Sequence, residues 1–188
     1  MKKISTRALT QVALLVALTI LFNGPLSIQA PIVRTLNFSF LPIAIIAMLH
    51  GPVLGGISAG VADVLGFFLF PGPWPFFPGF TVSAIVTGAV FGLFLYKNGS
   101  WNLTGKPSGL SHNTEMWIRV TLSVVVLTVI VRLGLNILWL SIMWGDGFLV
   151  LLPPRIVGAL LMIPIQVLCI GVFASERLYV ILGGRRAV

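Results

Sequence analysis

Arg132, Asn136 and Trp139 stand three and four residues apart in a long apolar stretch, so a helix there would carry all three on one face. Together, a guanidinium, an amide and an indole can meet an anion, read the edge of a heterocycle and stack on an aromatic ring. An ionised side chain at the centre of a bilayer costs about 3 kcal/mol on insertion scales, so such residues usually face a cavity or a partner. The pattern predicts a polar cavity beside this helix.

A second arginine follows two prolines in "LLPPRI", residues 151–156, and a long apolar run comes after it. Pro154 suits the first turn of a helix, where its missing N–H has no partner. We therefore expect a helix to begin there, with Arg155 and the free N–H groups of the first turn binding a ligand carboxylate. Gln166 shares the face of Arg155 and lies at about the depth of Arg132, roughly 16 Å below the helix ends. The alternative is that Arg155 extends to the membrane interface without a ligand.

Asp63, in "GVADVLG", is an acid in the interior of a predicted span. Its carboxylate could accept two hydrogen bonds from an amino-heterocycle, a geometry that carboxylates favour. It could equally form a structural ion pair with Arg132.

Aromatic residues crowd the ends of several apolar segments: Phe38, Trp74, Phe76, Phe77, Phe80, Trp139 and Trp144. Such residues can form a stacking platform over a flat ligand. They can also form the aromatic belt of a membrane protein. In the first reading, Trp74 and Phe80 belong to the binding site.

The elements that position these residues are apolar helices. The chain has 188 residues, of which 57% are hydrophobic and 9% charged, and a mean hydropathy of +1.07. Soluble domains carry about 25% charged residues, so we expect one integral membrane domain over residues 1–188. The alternation of a β-barrel is absent, so the predicted fold is all-α, a compact bundle of six transmembrane helices. Their predicted ranges are about 5–22, 36–49 (interrupted by Pro42), 52–70, 79–96, 117–143 and 154–182, with a cytoplasmic loop at 97–116.

The net charge of +8 does not indicate nucleic-acid binding, because the cations sit at the edges of apolar segments. If both termini are cytoplasmic, the inner side holds Lys2, Lys3, Arg7, Lys97, Lys106, Arg119, Arg177, Arg185 and Arg186. The outer side then holds only Arg34 and Arg155. This bias predicts that both termini are inside and that the cavity opens outward. The first apolar stretch is read as a retained helix of a multi-pass protein of a prokaryotic plasma membrane, not as a signal peptide.

Signatures of catalysis are absent: there is no serine elbow, zinc-binding H-E-x-x-H, paired carboxylates or P-loop. Cys169 is the single cysteine, so no cysteine metal cluster is possible. We therefore expect neither an enzyme nor a bound cofactor or metal.

Ala13 and Ala17 stand four apart on the first helix, a spacing that lets helices approach closely. Their partner could lie within the bundle or be a separate membrane subunit.

Several stretches closely resemble the substrate-binding (S) subunits of energy-coupling factor transporters, above all the folate-specific ones. They are "LNFSFLPIAIIAMLHGPVLGGISAGVADVLGFFLFPG", "FPGFTVSAIVTGAVFGLFLY", "LNILWLSIMWG" and "LLPPRIVGALLMIPIQ". The resemblance implies six helices that bind a vitamin from outside, and association with a transmembrane (T) subunit and two ATPases. Ala13 and Ala17 match the family's alanine-xxx-alanine motif, which contacts the T subunit.

Folate has a flat pterin, an aromatic linker and an anionic glutamate tail, and these parts suit the candidate residues. We expect the tail near Arg155, with Arg34 as a second candidate, and the pterin edge against Asp63, Asn136 or Gln166. In the reverse orientation Arg132 meets the tail.

Riboflavin or pyridoxine-type vitamins remain alternative ligands, whereas cationic thiamine is disfavoured by the outer arginines. A stand-alone secondary carrier is an alternative class. An intramembrane enzyme would need a nucleophile–base pair, which the spans lack.

Overall fold

The computed structural model describes residues 6–27, 38–71, 75–96, 112–145 and 147–174, and the regular structure within these ranges is entirely helical. The elements are α1 (Thr6–Asn23), α2 (Phe40–His50), α3 (Pro52–Leu69), α4 (Pro78–Leu95), α5 (His112–Leu127), a π-helical segment (Thr128–Leu135), α6 (Asn136–Trp144) and α7 (Phe148–Ala174). The all-α prediction is confirmed. Among the described residues, five helical stretches are long and apolar enough to cross a membrane, and α2 is a shorter apolar helix.

The bounds of α1, α3 and α4 agree with the predicted ranges to within one residue. Proline at the start of α3 and of α4 marks two of these boundaries, because its missing N–H would be unpaired in a first turn. The predicted second helix is corrected. It begins at Phe40, so Pro42 lies in its first turn and interrupts nothing.

The fifth predicted helix begins earlier than expected. Residues 112–116, which were assigned to the loop at 97–116, belong to α5, and residues 97–111 lie outside the described ranges. From α5 the helix continues through the π-helical segment into α6 without a break. It ends at Gly145, whose φ of 76° is favourable for glycine and whose N–H donates to the Ser141 carbonyl at 2.9 Å.

The sixth predicted helix is also corrected at its start. α7 begins at Phe148, so Pro153 and Pro154 lie in its second turn and Arg155 is its eighth residue. The apolar residues before the prolines extend the helix backwards, since each proline removes only one backbone hydrogen bond. The expectation that free N–H groups of the first turn stand beside Arg155 is therefore wrong. The predicted end at 182 lies outside the described residues.

The short helix α2 forms the centre of the described bundle. Eight of its 11 residues are buried, and Ile46 and Ala47 are fully inaccessible. Fully buried side chains from other helices, such as Phe91 of α4 and Val124 of α5, complete the same apolar core. The core fixes the neighbouring helices around α2.

Helices α3 and α4 pack backbone against backbone near the end of the bundle where α2 finishes. A Cβ added at Gly88 would lie 2.2 Å from the Gly55 carbonyl oxygen, and one at Gly92 would lie 2.3 Å from Cα of Pro52. Only glycine permits this approach. The opposite end of the bundle, called here the aromatic end, holds the C-terminus of α3, the N-terminus of α4 and the junction of α6 with α7. There α3 and α4 present Asp63, Phe80 and Ser83 to a cavity.

Candidate ligand-binding site

A cavity of about 250 Å³, called here the deep cavity, lies between α1, α2, α3, α4, α7 and the α5–α6 helix. Its polar lining is Thr19, Asn23, Ser39, Asp63, Ser83, Thr87, Arg132, Asn136 and Gln166. Its apolar lining is Phe40, Ile43, Ala59, Ala62, Phe80, Ala84, Phe91, Leu127 and Val131. This mixture of hydrogen-bonding groups with flat apolar walls suits a polar heterocycle.

A second cavity of about 360 Å³, called here the aromatic cavity, lies at the aromatic end. It is lined by Asp63, Phe67, Pro75, Phe76, Phe77, Phe80, Leu140, Met143, Trp144 and Arg155. Asp63 and Phe80 line both cavities, so the two spaces share a wall. Their combined volume falls in the range of about 300–1,000 Å³ that is typical of small-molecule sites.

The carboxylate of Asp63 is held by a neighbouring helix. Thr81 of α4 donates a hydrogen bond to its Oδ2 at 2.8 Å. The salt bridge that joins described residues is Arg119–Glu115, one turn apart on α5, whereas Asp63 and Arg132 form none. The structural ion pair considered as an alternative for these two residues is therefore not formed. Both side chains line the deep cavity instead.

The amide of Asn136 leaves a buried acceptor unpaired. Its Oδ1 is inaccessible and has no hydrogen-bond partner among the described residues. A buried polar atom without a partner costs about 1–3 kcal/mol, and a turn of the amide that brought this oxygen to a ligand N–H in the deep cavity would remove that cost. Gln166 of α7 lines the same cavity and is 5% exposed. Asn136 follows directly after the π-helical segment, which also carries Arg132.

Trp139 lies behind the cavity wall and lines neither cavity in the described structure. Its ring lies 5.9 Å from the Phe77 ring at an angle of 50°, and its Nε1 donates to Ser83 Oγ at 3.1 Å. Gly79 makes room for the indole, because a Cβ there would lie 2.5 Å from the Trp139 ring. The structure thus separates Trp139 from Arg132 and Asn136, which line the deep cavity.

Two of the remaining predicted binding residues line the aromatic cavity, and two lie outside the described part of the chain. Arg155 is partly buried and lines the aromatic cavity, together with Phe80. Arg34 and Trp74 lie outside the described residues. Of the cations and aromatic rings predicted to meet the ligand, Arg155 and Phe80 therefore line the aromatic cavity, and Arg132 and Phe80 line the deep cavity.

Ala13 and Ala17 are exposed on α1. Leu14 and Leu21 beside them are 67% and 42% exposed, and only 17% of this helix is buried in the bundle. The described part of the chain therefore leaves this small-residue face uncovered.

Sequence reasoning missed several small hydroxyl residues of the deep cavity, among them Thr19, Ser83 and Thr87. Serine and threonine in membrane helices commonly donate to their own backbone, as Thr19 does to the Leu15 carbonyl at 2.8 Å. Their presence in a span therefore carries no signal of a cavity. Asn23 carried no signal of a cavity either, because it is the last residue of α1 and a polar residue is ordinary at the end of a helix.

The family model described as "ECF transporter, substrate-specific component" matches residues 7–173. The chain belongs to the substrate-specific components of energy-coupling factor transporters. This confirms the resemblance drawn from the sequence, and it makes the chain a component of a transporter rather than an enzyme.

Two curated relatives carry the name folate transporter FolT. The protein from Clostridium novyi (strain NT) is 37% identical over 171 residues, which cover 90% of this chain and 88% of the relative. The protein from Leuconostoc mesenteroides subsp. mesenteroides is 29% identical over 170 residues, which cover 88% and 83%. A solved structure described as FolT bound with folic acid superposes with a TM-score of 0.74 at 29% identity and covers 97% of this chain and 100% of that chain.

Proposed function

We propose that this chain captures folate from outside the cell as the substrate-binding subunit of an energy-coupling factor transporter. The observation that carries the proposal is the pair of cavities, one polar and one aromatic, which share Asp63 and Phe80. Folate is likewise a polar bicycle joined to an aromatic ring. Similarity to proteins named folate transporters supports the same ligand.

The deep cavity suits the pterin. Thr81 uses one lone pair of Asp63 Oδ2, so both carboxylate oxygens can still accept, one from the pterin amino group and the other from the ring N–H. The unpaired Oδ1 of Asn136 can accept a further hydrogen bond, and Gln166 can donate or accept one. Phe80, which lines both cavities, would lie where the pterin joins the linker.

The aromatic cavity suits the linker ring and the beginning of the tail. Phe67, Phe76 and Phe77 provide aromatic surface there. Arg155 supplies the positive charge for a glutamate carboxylate, without help from a helix terminus. Arg34 is a second candidate for the other carboxylate. The reverse orientation places the tail against Arg132 in the deep cavity.

The transport step would depend on partner chains. We infer that the exposed Ala13 and Ala17 face contacts a T subunit, and that two ATPases supply the energy. No P-loop occurs in the sequence. With both termini cytoplasmic, as the lysines and arginines favour, the aromatic end faces outward and the chain resides in a prokaryotic plasma membrane.

The test is ligand binding by the purified subunit alone, in detergent and without ATP. Tryptophan quenching and thermal shift would be measured with folate, riboflavin, pyridoxine and thiamine. We expect tight one-to-one binding of folate. Preferential binding of riboflavin or pyridoxine would contradict the ligand but keep the transporter class.

Uptake by cells provides the second arm of the test. We expect folate uptake only when the T subunit and both ATPases are present. Uptake in their absence would instead support a stand-alone secondary carrier.

A further inference from the structure

Ser83 differs from the other hydroxyl residues of the deep cavity in what it bonds to. It lies on α4, lines the cavity and is 4% exposed. Trp139 Nε1 donates to its Oγ at 3.1 Å. Because an indole N–H can only donate, the Ser83 oxygen is the acceptor of this bond.

The Ser83 hydroxyl proton is therefore available for another acceptor. The threonines of the deep cavity use their protons on their own helix: Thr87 donates to the Ser83 carbonyl and Thr19 to the Leu15 carbonyl, each at 2.8 Å. Ser83 makes no such bond to any residue that the structure describes. A buried hydroxyl without an acceptor is costly, so the proton is available to a ligand in the cavity.

Packing holds the indole that fixes this arrangement. A Cβ at Gly79 would lie 2.5 Å from the Trp139 ring and 2.4 Å from the Phe77 ring, so the two rings fill the space that the glycine leaves. Residues 78–81 read "PGFT", and this stretch therefore does two things. Gly79 admits the indole that fixes Ser83, and Thr81 holds the carboxylate of Asp63.

We propose that Ser83 donates a hydrogen bond to the 4-oxo group of the pterin ring and that Trp139 is the residue that positions it. The proposal rests on folate being the ligand. If Asp63 accepts from the 2-amino group and N3–H, the next group along that edge of the ring is the 4-oxo oxygen, which can only accept. Ser83 of α4 and Asp63 of α3 line the same cavity, so Ser83 supplies a donor in the space that the carboxylate also faces.

The test compares folate with its 4-amino analogue, which carries a donor in place of the 4-oxo acceptor. Dissociation constants for both would be measured by titration calorimetry on the purified subunit. The wild-type protein should prefer folate. Ser83→Ala should weaken folate binding about tenfold, the worth of one buried hydrogen bond, and should change binding of the analogue by less than about twofold. Ser83→Thr, which keeps the hydroxyl, should restore the preference.

Trp139→Phe keeps an aromatic ring but removes the N–H group together with the five-membered ring of the indole. It should reduce the preference for folate, and combining it with Ser83→Ala should reduce the preference no further, since both act through one hydroxyl. Equal weakening of both ligands by Ser83→Ala would show a packing role and overturn the proposal. An unchanged preference would overturn it as well. Failure of the proposed function is distinguishable, because the wild-type protein would then not bind folate.

Discussion

Replacing Gly88 with alanine tests the backbone contact between α3 and α4 that positions the site. The added Cβ would lie 2.2 Å from the Gly55 carbonyl oxygen and 2.5 Å from its carbon. Carbon–oxygen contacts between helices settle at about 3.3–3.6 Å, so the two helices must separate by about 1 Å. Both obstructing atoms belong to the backbone and cannot rotate away. The structure therefore predicts strong destabilisation.

Overpacking of this kind costs about 1–3 kcal/mol. For a chain of this length, each kcal/mol lowers Tm by about 2–4 °C, which gives an expected fall of about 2–12 °C. The assay is thermal unfolding of the detergent-solubilised protein, followed by tryptophan fluorescence. Folate should raise the Tm of the variant less than that of the wild type, because α3 and α4 carry Asp63 and Ser83.

Gly158→Ala is the matched control. Nothing lies within 4 Å of a Cβ added at Gly158 in α7. Alanine is favoured over glycine in a helix interior by about 1 kcal/mol, so this variant should have an equal or higher Tm. If Gly88→Ala unfolds at or above the temperature of Gly158→Ala, the close packing of α3 on α4 is refuted.

Three further substitutions and one deletion test the proposed site and its partner. Arg155→Ala should weaken binding of folate at least about tenfold more than binding of pterin alone, and equal weakening in calorimetry would place the tail elsewhere. Asp63→Asn should weaken both ligands to the same extent, because it removes the charged acceptor for the pterin edge; a loss confined to folate would contradict this. Ala13→Trp should abolish uptake in cells while the isolated subunit still binds folate, so normal uptake would argue against the α1 contact. Deleting Ile130, which is 49% exposed, should convert the i→i+5 turns of the π-helical segment to i→i+4 turns and so change the orientation of Arg132 relative to Asn136; folate binding should fall, whereas Ile130→Ala should leave it intact.

The sequence predicts those helices whose ends carry an unambiguous signal. Pro52 and Pro78 begin α3 and α4 where expected. The same reasoning failed at Pro154, because the apolar residues before it are as suited to a helix as those after it. The π-helical segment was not predicted either, since a single stretch of apolar residues does not reveal a change of helical period.

The sequence indicated those residues of the candidate site whose burial in a membrane costs the most free energy. Asp63 and Arg132 stood out because charge is rare in a membrane span, and both line the deep cavity. Ser83 did not stand out, since its role depends on Trp139, 56 residues further along the chain. The distinction between a tryptophan that touches the ligand and one that supports a neighbour needs three-dimensional packing.

The shortness of α2 explains why the protein has a cavity at all. Its 11 residues extend about 16 Å, whereas the hydrocarbon core of a bilayer is about 30 Å thick. Ser39, Phe40 and Ile43 at its N-terminal end line the deep cavity, so among the described residues the cavity begins where the central helix begins. The apolar core and the candidate ligand site therefore lie next to each other at this end of α2. We therefore expect a protein built in this way to lose part of its apolar core when empty, and a ligand bound in the deep cavity to complete that core.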